Sequence, residues 1–147
     1  MAISVLSAAK RLGSRSGWSL SNLEMQKILY LAHMFYLGRM GRPLVVGNFE
    51  AWDYGPVHPD LYHRAKIFGS DHVQDIFPNI SAPPKGPERS IIDEAFDNLG
   101  NLGPGRLVNA THQPGGAWDR NYIPGARHIV IPNQDILEEY RALDDDD

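Results

Sequence analysis

The stretch that decides the fold reads SNLEMQKILYLAHMFYLG over residues 21–38 and EAWDYGPV over residues 50–57. In the first segment apolar residues occupy every side of a helix, which predicts a central helix buried on several faces. The second segment has the aromatic content of a strand, and Gly55-Pro56 predicts a sharp end to that strand. Two polar residues, Gln26 and Lys27, interrupt the apolar helix. Their presence needs a reason, because a buried amide or ammonium is costly unless it finds a partner.

Gln26 and Lys27 are adjacent in the helix, so their side chains point about 100° apart. A structural interpretation has Gln26 bonded to a loop backbone, while Lys27 extends to the surface or pairs with a carboxylate such as Asp53. A functional interpretation places both residues in a cleft beside Trp52 and Tyr54, where a partner segment docks. Tryptophan and tyrosine are frequent anchors of protein interfaces. The sequence leaves both interpretations open.

The remaining chain predicts further helices and one more strand. Ser21-x-x-Glu24 is a capping box at the start of the central helix. Apolar spacing, proline starts and glycine stops predict helices at about 3–12, 59–68, 88–99 and 104–111 and after Asn133, and a strand at 128–131. The sum is a mainly helical α+β domain, with about five or six helices around a buried central helix and a small two- or three-stranded sheet. Residues 1–143 are expected to form one domain, and the acidic tail 144–147 is expected to be disordered.

Composition restricts the classes of function. The 147 residues include no cysteine, which excludes disulfides, thiolate metal sites and a thiol nucleophile. The six histidines are scattered without metal-ligand spacing, and no phosphate loop or dinucleotide fingerprint is present, so neither a metal nor a cofactor is expected. No segment approaches the ~20 apolar residues of a membrane span, and the N-terminus has no signal-peptide pattern. The expected location is the cytoplasm.

A second polar spot lies at Thr111-His112, which close a predicted short helix before a Gly-rich turn and Trp118. As a functional site, this hydroxyl and imidazole would recognise a partner. As structural residues, they would cap the helix and fix the turn. Nothing in the sequence marks a base or an oxyanion site that would make Thr111 a nucleophile.

Together these segments resemble the Panacea domain family, the antitoxins typified by SocA and also found as phage-associated proteins. The residues that carry the resemblance are Leu23, Gln26 to Tyr30, Gly41 to Leu44, Ala51 to Val57, Tyr62, Leu107 to His112 and Ala117-Trp118. The chain departs from the family pattern at Ala117, where the family usually has proline. It also departs in the Pro-rich region around residues 70–90, where the family's recognition surface is hard to match.

The resemblance implies a binding module, not an enzyme. Its partner would be a cognate toxin protein, neutralised by direct contact. In SocA-like members the domain instead acts as an adaptor that delivers the toxin to a AAA+ protease. The residues expected to bind the partner are Gln26, Lys27, Trp52, Tyr54, Thr111, His112 and Trp118.

Two other functions are considered. In the first, the polar side chains of residues 26, 27, 54, 111 and 112 surround a small-molecule pocket and reverse a toxin's modification. In the second, the chain binds nucleic acid and represses its own operon. The formal net charge of −4 disfavours nucleic-acid binding, because that binding relies on basic surface. No membrane partner is expected.

Overall fold

The structure is a computed structural model that describes the backbone of residues 1–145 and the side chains of residues 1–143. This part of the chain confirms a mainly helical α+β fold. It contains α1 (Val5–Ser16), α2 (Asn22–Met40), β1 (Glu50–Trp52), β2 (Gly55–Val57), α3 (Pro59–Ala65), α4 (Pro87–Leu99), α5 (Pro104–Thr111), α6 (Ala117–Asn121) and α7 (Asn133–Asp145). The five-residue α6 was not expected, and a 3-10 turn at Lys66–Phe68 follows α3. Within residues 1–145 no helix is long and apolar enough to cross a membrane.

Helix α2 is the centre of the domain, as expected. Its 19 residues include Ile28, Leu29 and Tyr30, each with no exposed surface. The helix contacts α1, α3, α4, α5, α7 and β2, which accounts for its apolar residues on every side. The predicted capping box is present: the Ser21 hydroxyl accepts from Glu24 N at 3.2 Å, and Ser21 N donates to Glu24 Oε1 at 3.1 Å.

Helices α1 and α4 lie side by side, and ion pairs connect them. Arg11 donates to both oxygens of Asp93 at 2.7 and 2.8 Å, a bidentate geometry. In the neighbouring ion pair, Arg15 Nη2 lies 2.9 Å from Asp97 Oδ2, on a more exposed part of the surface. The carboxylates on the outer face of α4 therefore fix its register against α1.

The strands differ from the expectation at Gly55-Pro56. These residues do not end the strand but form β2, which pairs antiparallel with β1 after a two-residue turn at Asp53 and Tyr54. Pro56 is tolerated because the outer edge of β2 faces side chains rather than another strand, so its missing N–H breaks no ladder there. Residues 128–131 are not a full strand. They pair with β1 at one bridge, Glu50 with Val130, supported by Ala51 N to Ile129 O and Ile131 N to Phe49 O, each at 2.8 Å.

Helix α7 returns the chain to the centre and packs on α2. Its first residue, Asn133, accepts through Oδ1 from the buried His33 Nε2 at 2.9 Å, which connects α7 to α2. The helix takes in Asp144 and Asp145. The rest of the tail 144–147, for which disorder is expected, lies outside the described residues.

Replacing Ser21 with alanine is expected to lower the free energy of unfolding by about 1 kcal/mol, because the first turn of α2 loses its capping acceptor. Chemical denaturation measures the change. In combination with Glu24→Ala the losses should be less than additive, since each single change already breaks the reciprocal cap. Ser14→Ala, at an exposed position of α1, is the control. Additive losses from Ser21→Ala and Glu24→Ala would contradict the capping box.

Candidate partner-binding site

Two side chains of α2 satisfy the backbone at the outer edge of β2. Gln26 Oε1 accepts from His58 N at 2.8 Å, and Gln26 Nε2 donates to His58 O at 3.3 Å. Lys27 Nζ donates to Pro56 O at 2.9 Å. Gln26 and Lys27 are each only 1% exposed. They occupy the place of a neighbouring strand and satisfy backbone groups that would otherwise be buried without partners.

The environment of Lys27 differs from the structural interpretation of the sequence. The side chain neither reaches the surface nor pairs with Asp53. Its bonding partner is the Pro56 carbonyl, and burial lowers the lysine pKa to about 7. The fit is close: a Cβ added at Gly55 would lie 2.8 Å from Lys27 Cε, and Gly55 has φ 114°. Only glycine suits this position.

His112, at the end of α5, approaches the same point. Its Nε2 lies 3.1 Å from the position of a Cβ at Gly55, as does Lys27 Nζ. This nitrogen is buried and has no hydrogen-bond partner among the described residues. Burial and the nearby Lys27 both lower the pKa of His112. The two nitrogens therefore lie beside the same point at Gly55, and burial disfavours the charged form of each.

An aromatic stack continues from His112 and holds the hairpin turn. The His112 and Trp118 rings are nearly parallel, with centroids 3.7 Å apart, and Tyr122 stacks on Trp118 at 4.5 Å. Trp118 Nε1 donates to Trp52 O at 2.7 Å, and the Tyr122 hydroxyl donates to Asp53. Helix α6 and the residue that follows it thus hold Trp52 and Asp53, which precede Tyr54 in the hairpin.

The other residues expected to bind a partner differ sharply in exposure. Thr111 is 1% exposed, and its hydroxyl donates within its own helix to Leu107 O at 3.2 Å and Val108 O at 3.0 Å. Trp118 is 8% exposed. Tyr54, in contrast, is 72% exposed at the tip of the hairpin, and Trp52 is half-buried beside it. Of the seven residues expected to bind a partner, Lys27 and His112 meet at Gly55, but only Tyr54 is largely exposed to solvent.

A groove opens beside the hairpin. This hairpin groove has a volume of about 570 Å³ and is lined by Trp52, Asp53, Tyr62 and the segment 125–128. Trp52 and Tyr62 meet edge to face at 4.7 Å on one wall, which gives the groove an aromatic surface. The other lining segment, residues 125–128, contributes Arg127 and His128 and forms a second wall.

Sequence reasoning missed several residues of this site. Tyr122 and Arg127 were in no motif, and His128 was placed only in a predicted strand. The buried Glu139 was also missed. It anchors α6 by accepting from Ala117 N at 2.7 Å, and burial raises its pKa. The only local signal was the Pro124-Gly125 turn, because both walls of the groove come from segments far apart in the chain.

The five residues of the enzymatic alternative do not assemble around a groove. Gln26 and Thr111 bond to backbone, Lys27 and His112 flank Gly55, and Tyr54 points outward. A second groove of about 240 Å³ is lined by Tyr36, Arg39, Met40, Pro87, Ser90, Ile91 and Glu94, which include none of the five. The part of the chain that the structure describes also holds no cluster of potential metal ligands.

The lowered pKa of Lys27 predicts a pH-dependent stability. Between pH 7 and the ordinary lysine value of 10.5, the unfolded chain retains a proton that folded Lys27 has lost. The free energy of unfolding should therefore rise with pH in this window, by up to about 1.4 kcal/mol per pH unit. Denaturation between pH 7 and 9 measures it, because few tyrosines of the unfolded chain ionise at these pH values.

In Lys27→Met this rise should disappear, whereas Lys85→Met, at an exposed lysine, should keep it. The slope of each variant is the quantity to compare, since Lys27→Met also leaves the Pro56 carbonyl without its donor. Equal slopes in the wild-type protein and Lys27→Met would show that folded Lys27 is protonated like an ordinary lysine.

Comparison with known proteins identifies the family. The family model for the Antitoxin SocA-like, Panacea domain matches residues 25–119, a range that contains most of α2, the hairpin and Trp118. Antitoxin SocA of Caulobacter vibrioides (strain NA1000 / CB15N) is 37% identical over 110 residues, which cover 68% of this chain and 58% of that protein. The chain thus matches less than two thirds of that relative's length. No solved structure matches. The chain belongs to the SocA-like Panacea antitoxin family.

Proposed function

We propose that this chain is a cytoplasmic antitoxin that neutralises a cognate toxin protein by binding it directly, through the hairpin tip and the hairpin groove. One observation carries the proposal: Tyr54 is 72% exposed, and it lies on a turn whose neighbouring backbone is held by hydrogen bonds from buried side chains. A large aromatic side chain left in solvent on a rigid support is typical of an interface anchor.

Family membership supports the class of function. The similar protein in Caulobacter vibrioides is described as an antitoxin, and an antitoxin acts on a toxin. The proposal assigns different tasks to the seven residues that the sequence singled out. Gln26, Lys27 and Thr111 are too deeply buried to touch a partner, so their task is to position the hairpin. Contact falls to Tyr54 and Trp52, with His112 and Trp118 as support.

The support matters for affinity because a binding surface that is already ordered loses little entropy on association. Three hydrogen bonds hold the hairpin: Lys27 donates to Pro56 O, Trp118 donates to Trp52 O, and Tyr122 donates to the side chain of Asp53. The turn between them therefore presents Tyr54 in one defined place. A toxin can dock without having to order the turn.

Replacing Tyr54 with alanine is expected to weaken toxin binding by about 2 kcal/mol or more, while the free energy of unfolding changes little because the side chain is exposed. The measurement is co-expression with the product of the adjacent gene, followed by co-purification and titration calorimetry of the complex. Ile67→Ala is the control, since Ile67 is 82% exposed but lies outside the hairpin. Equal affinities for Tyr54→Ala and Ile67→Ala would remove the hairpin tip from the interface.

The stoichiometry of rescue separates the modes of neutralisation. Sequestration requires about one antitoxin per toxin. A chain that reversed a toxin's modification would restore the target in much smaller amounts. Delivery to a AAA+ protease would lower the toxin level in cells that contain the protease and leave it unchanged in cells without it. If the wild-type chain neither rescues growth nor co-purifies with any neighbouring gene product, the proposed function is wrong.

A further inference from the structure

We infer that segment 125–128, the second wall of the hairpin groove, selects the toxin by binding an acidic residue of an extended toxin segment through Arg127. This inference rests on the proposed function and names the chemistry of the partner. It concerns residues that neither the family match nor the sequence motifs include.

The wall is a shaped element of the fold. Ala126 N donates to Ile123 O at 3.1 Å and closes a turn with Pro124 at its second position. Gly125 follows with φ 78°, the geometry of a type II turn. The chain then joins β1 at the bridge between Val130 and Glu50. Because the turn and the bridge restrain both ends of the wall, Arg127 is held at the groove and not on a free loop.

The charged side chains of the groove, and Glu50 beside it, differ in whether they have partners within the fold. Asp53 accepts from the Tyr122 hydroxyl, and Glu50 Oε1 accepts from Trp52 Nε1 at 3.0 Å with His128 Nδ1 at 3.6 Å. Both carboxylates thus already have partners within the fold. Arg127 makes no hydrogen bond or ion pair with any side chain that the structure describes. The group left for a ligand is a guanidinium, and its planar fork matches a carboxylate.

The aromatic residues of the first wall determine which side chain of the toxin segment lies next to its acidic residue. Trp52 and Tyr62 present aromatic surface in the same groove as Arg127. A side chain that packs on these rings must be apolar or aromatic. The segment that fits the groove therefore carries an aspartate or glutamate close to an apolar residue, with one side chain directed to each wall.

The second wall is suited to distinguish one toxin from another, because it lies in a different part of the chain from the first wall. Trp52, Asp53 and Tyr62 lie within residues 25–119, which match the family model, whereas Arg127 and His128 lie beyond them. The first wall is thus built from the part of the chain that defines the family. The second wall is built from a part that the family model does not specify, so its charge can differ between members while the hairpin stays the same.

The test uses the purified full-length chain and the product of the adjacent gene as the probe. Arg127→Glu is expected to weaken the complex by about tenfold or more, because it replaces attraction by repulsion at the contact. Lys85→Glu is the matched control. It makes the same change in net charge at an exposed lysine outside both grooves and should alter affinity less than about twofold. Raising the salt concentration should weaken the wild-type complex more than the Arg127→Glu complex.

A second variant tests the groove without changing charge. Ala126→Trp places a large side chain on the exposed wall and should block the segment, again by about tenfold or more. Toxin variants selected to bind Arg127→Glu should carry lysine or arginine in place of an acidic residue. Unfolding curves check that each variant is folded.

The outcomes separate the inference from the proposed function. If the wild-type chain binds the probe and Arg127→Glu and Ala126→Trp bind it equally well, the toxin docks elsewhere and only the inference is overturned. The inference is also overturned if Arg127→Glu abolishes retardation of the chain's own promoter DNA and leaves toxin binding unchanged, since Arg127 then serves a phosphate. If the wild-type chain forms no complex with the probe, both fail.

Discussion

The edge of a two-stranded hairpin is completed by side chains from a helix, and the rest of the site depends on this interaction. Within residues 1–145, strand β2 has no neighbouring strand on its outer side, yet all three of its residues are buried. Gln26 bonds to both backbone groups of His58, and Lys27 bonds to the carbonyl of Pro56. Without these bonds, buried N–H and C=O groups would lose their partners at a cost of about 1–3 kcal/mol each. The central helix therefore determines where the hairpin lies.

The other side of the hairpin shows a second solution to the same requirement. Residues 129–131 supply backbone partners for Phe49 and Ala51, and the indole of Trp118 supplies one for Trp52. The stack of His112, Trp118 and Tyr122 extends this support to the turn. Several residues that carry the family resemblance, among them Gln26, Lys27, His112 and Trp118, thus build a frame around the hairpin. The frame leaves one aromatic residue, Tyr54, in solvent and one groove beside it.

Local sequence signals predicted the helical part of the molecule well. The all-round apolar character of α2, its capping box and the proline starts of α3 and α5 are each visible within a few residues of the sequence. The errors concern contacts that span the chain. Gly55-Pro56 was expected to end a strand because both residues disfavour a sheet interior, but side chains of α2 replace the ladder at that edge. The short α6 was missed because Glu139, a residue of α7, provides its cap.

The sequence by itself determined the family, the buried central helix, and the fact that Gln26 and Lys27 need partners. Helix periodicity and the cost of burying polar groups are local physical rules, so both can be applied to the chain before it folds. Only the tertiary structure decided which partners these residues take and which aromatic residues remain exposed. It also brought Trp52, Tyr62 and Arg127 to the lining of one groove. Such an arrangement depends on how remote segments pack together, and no local pattern records it.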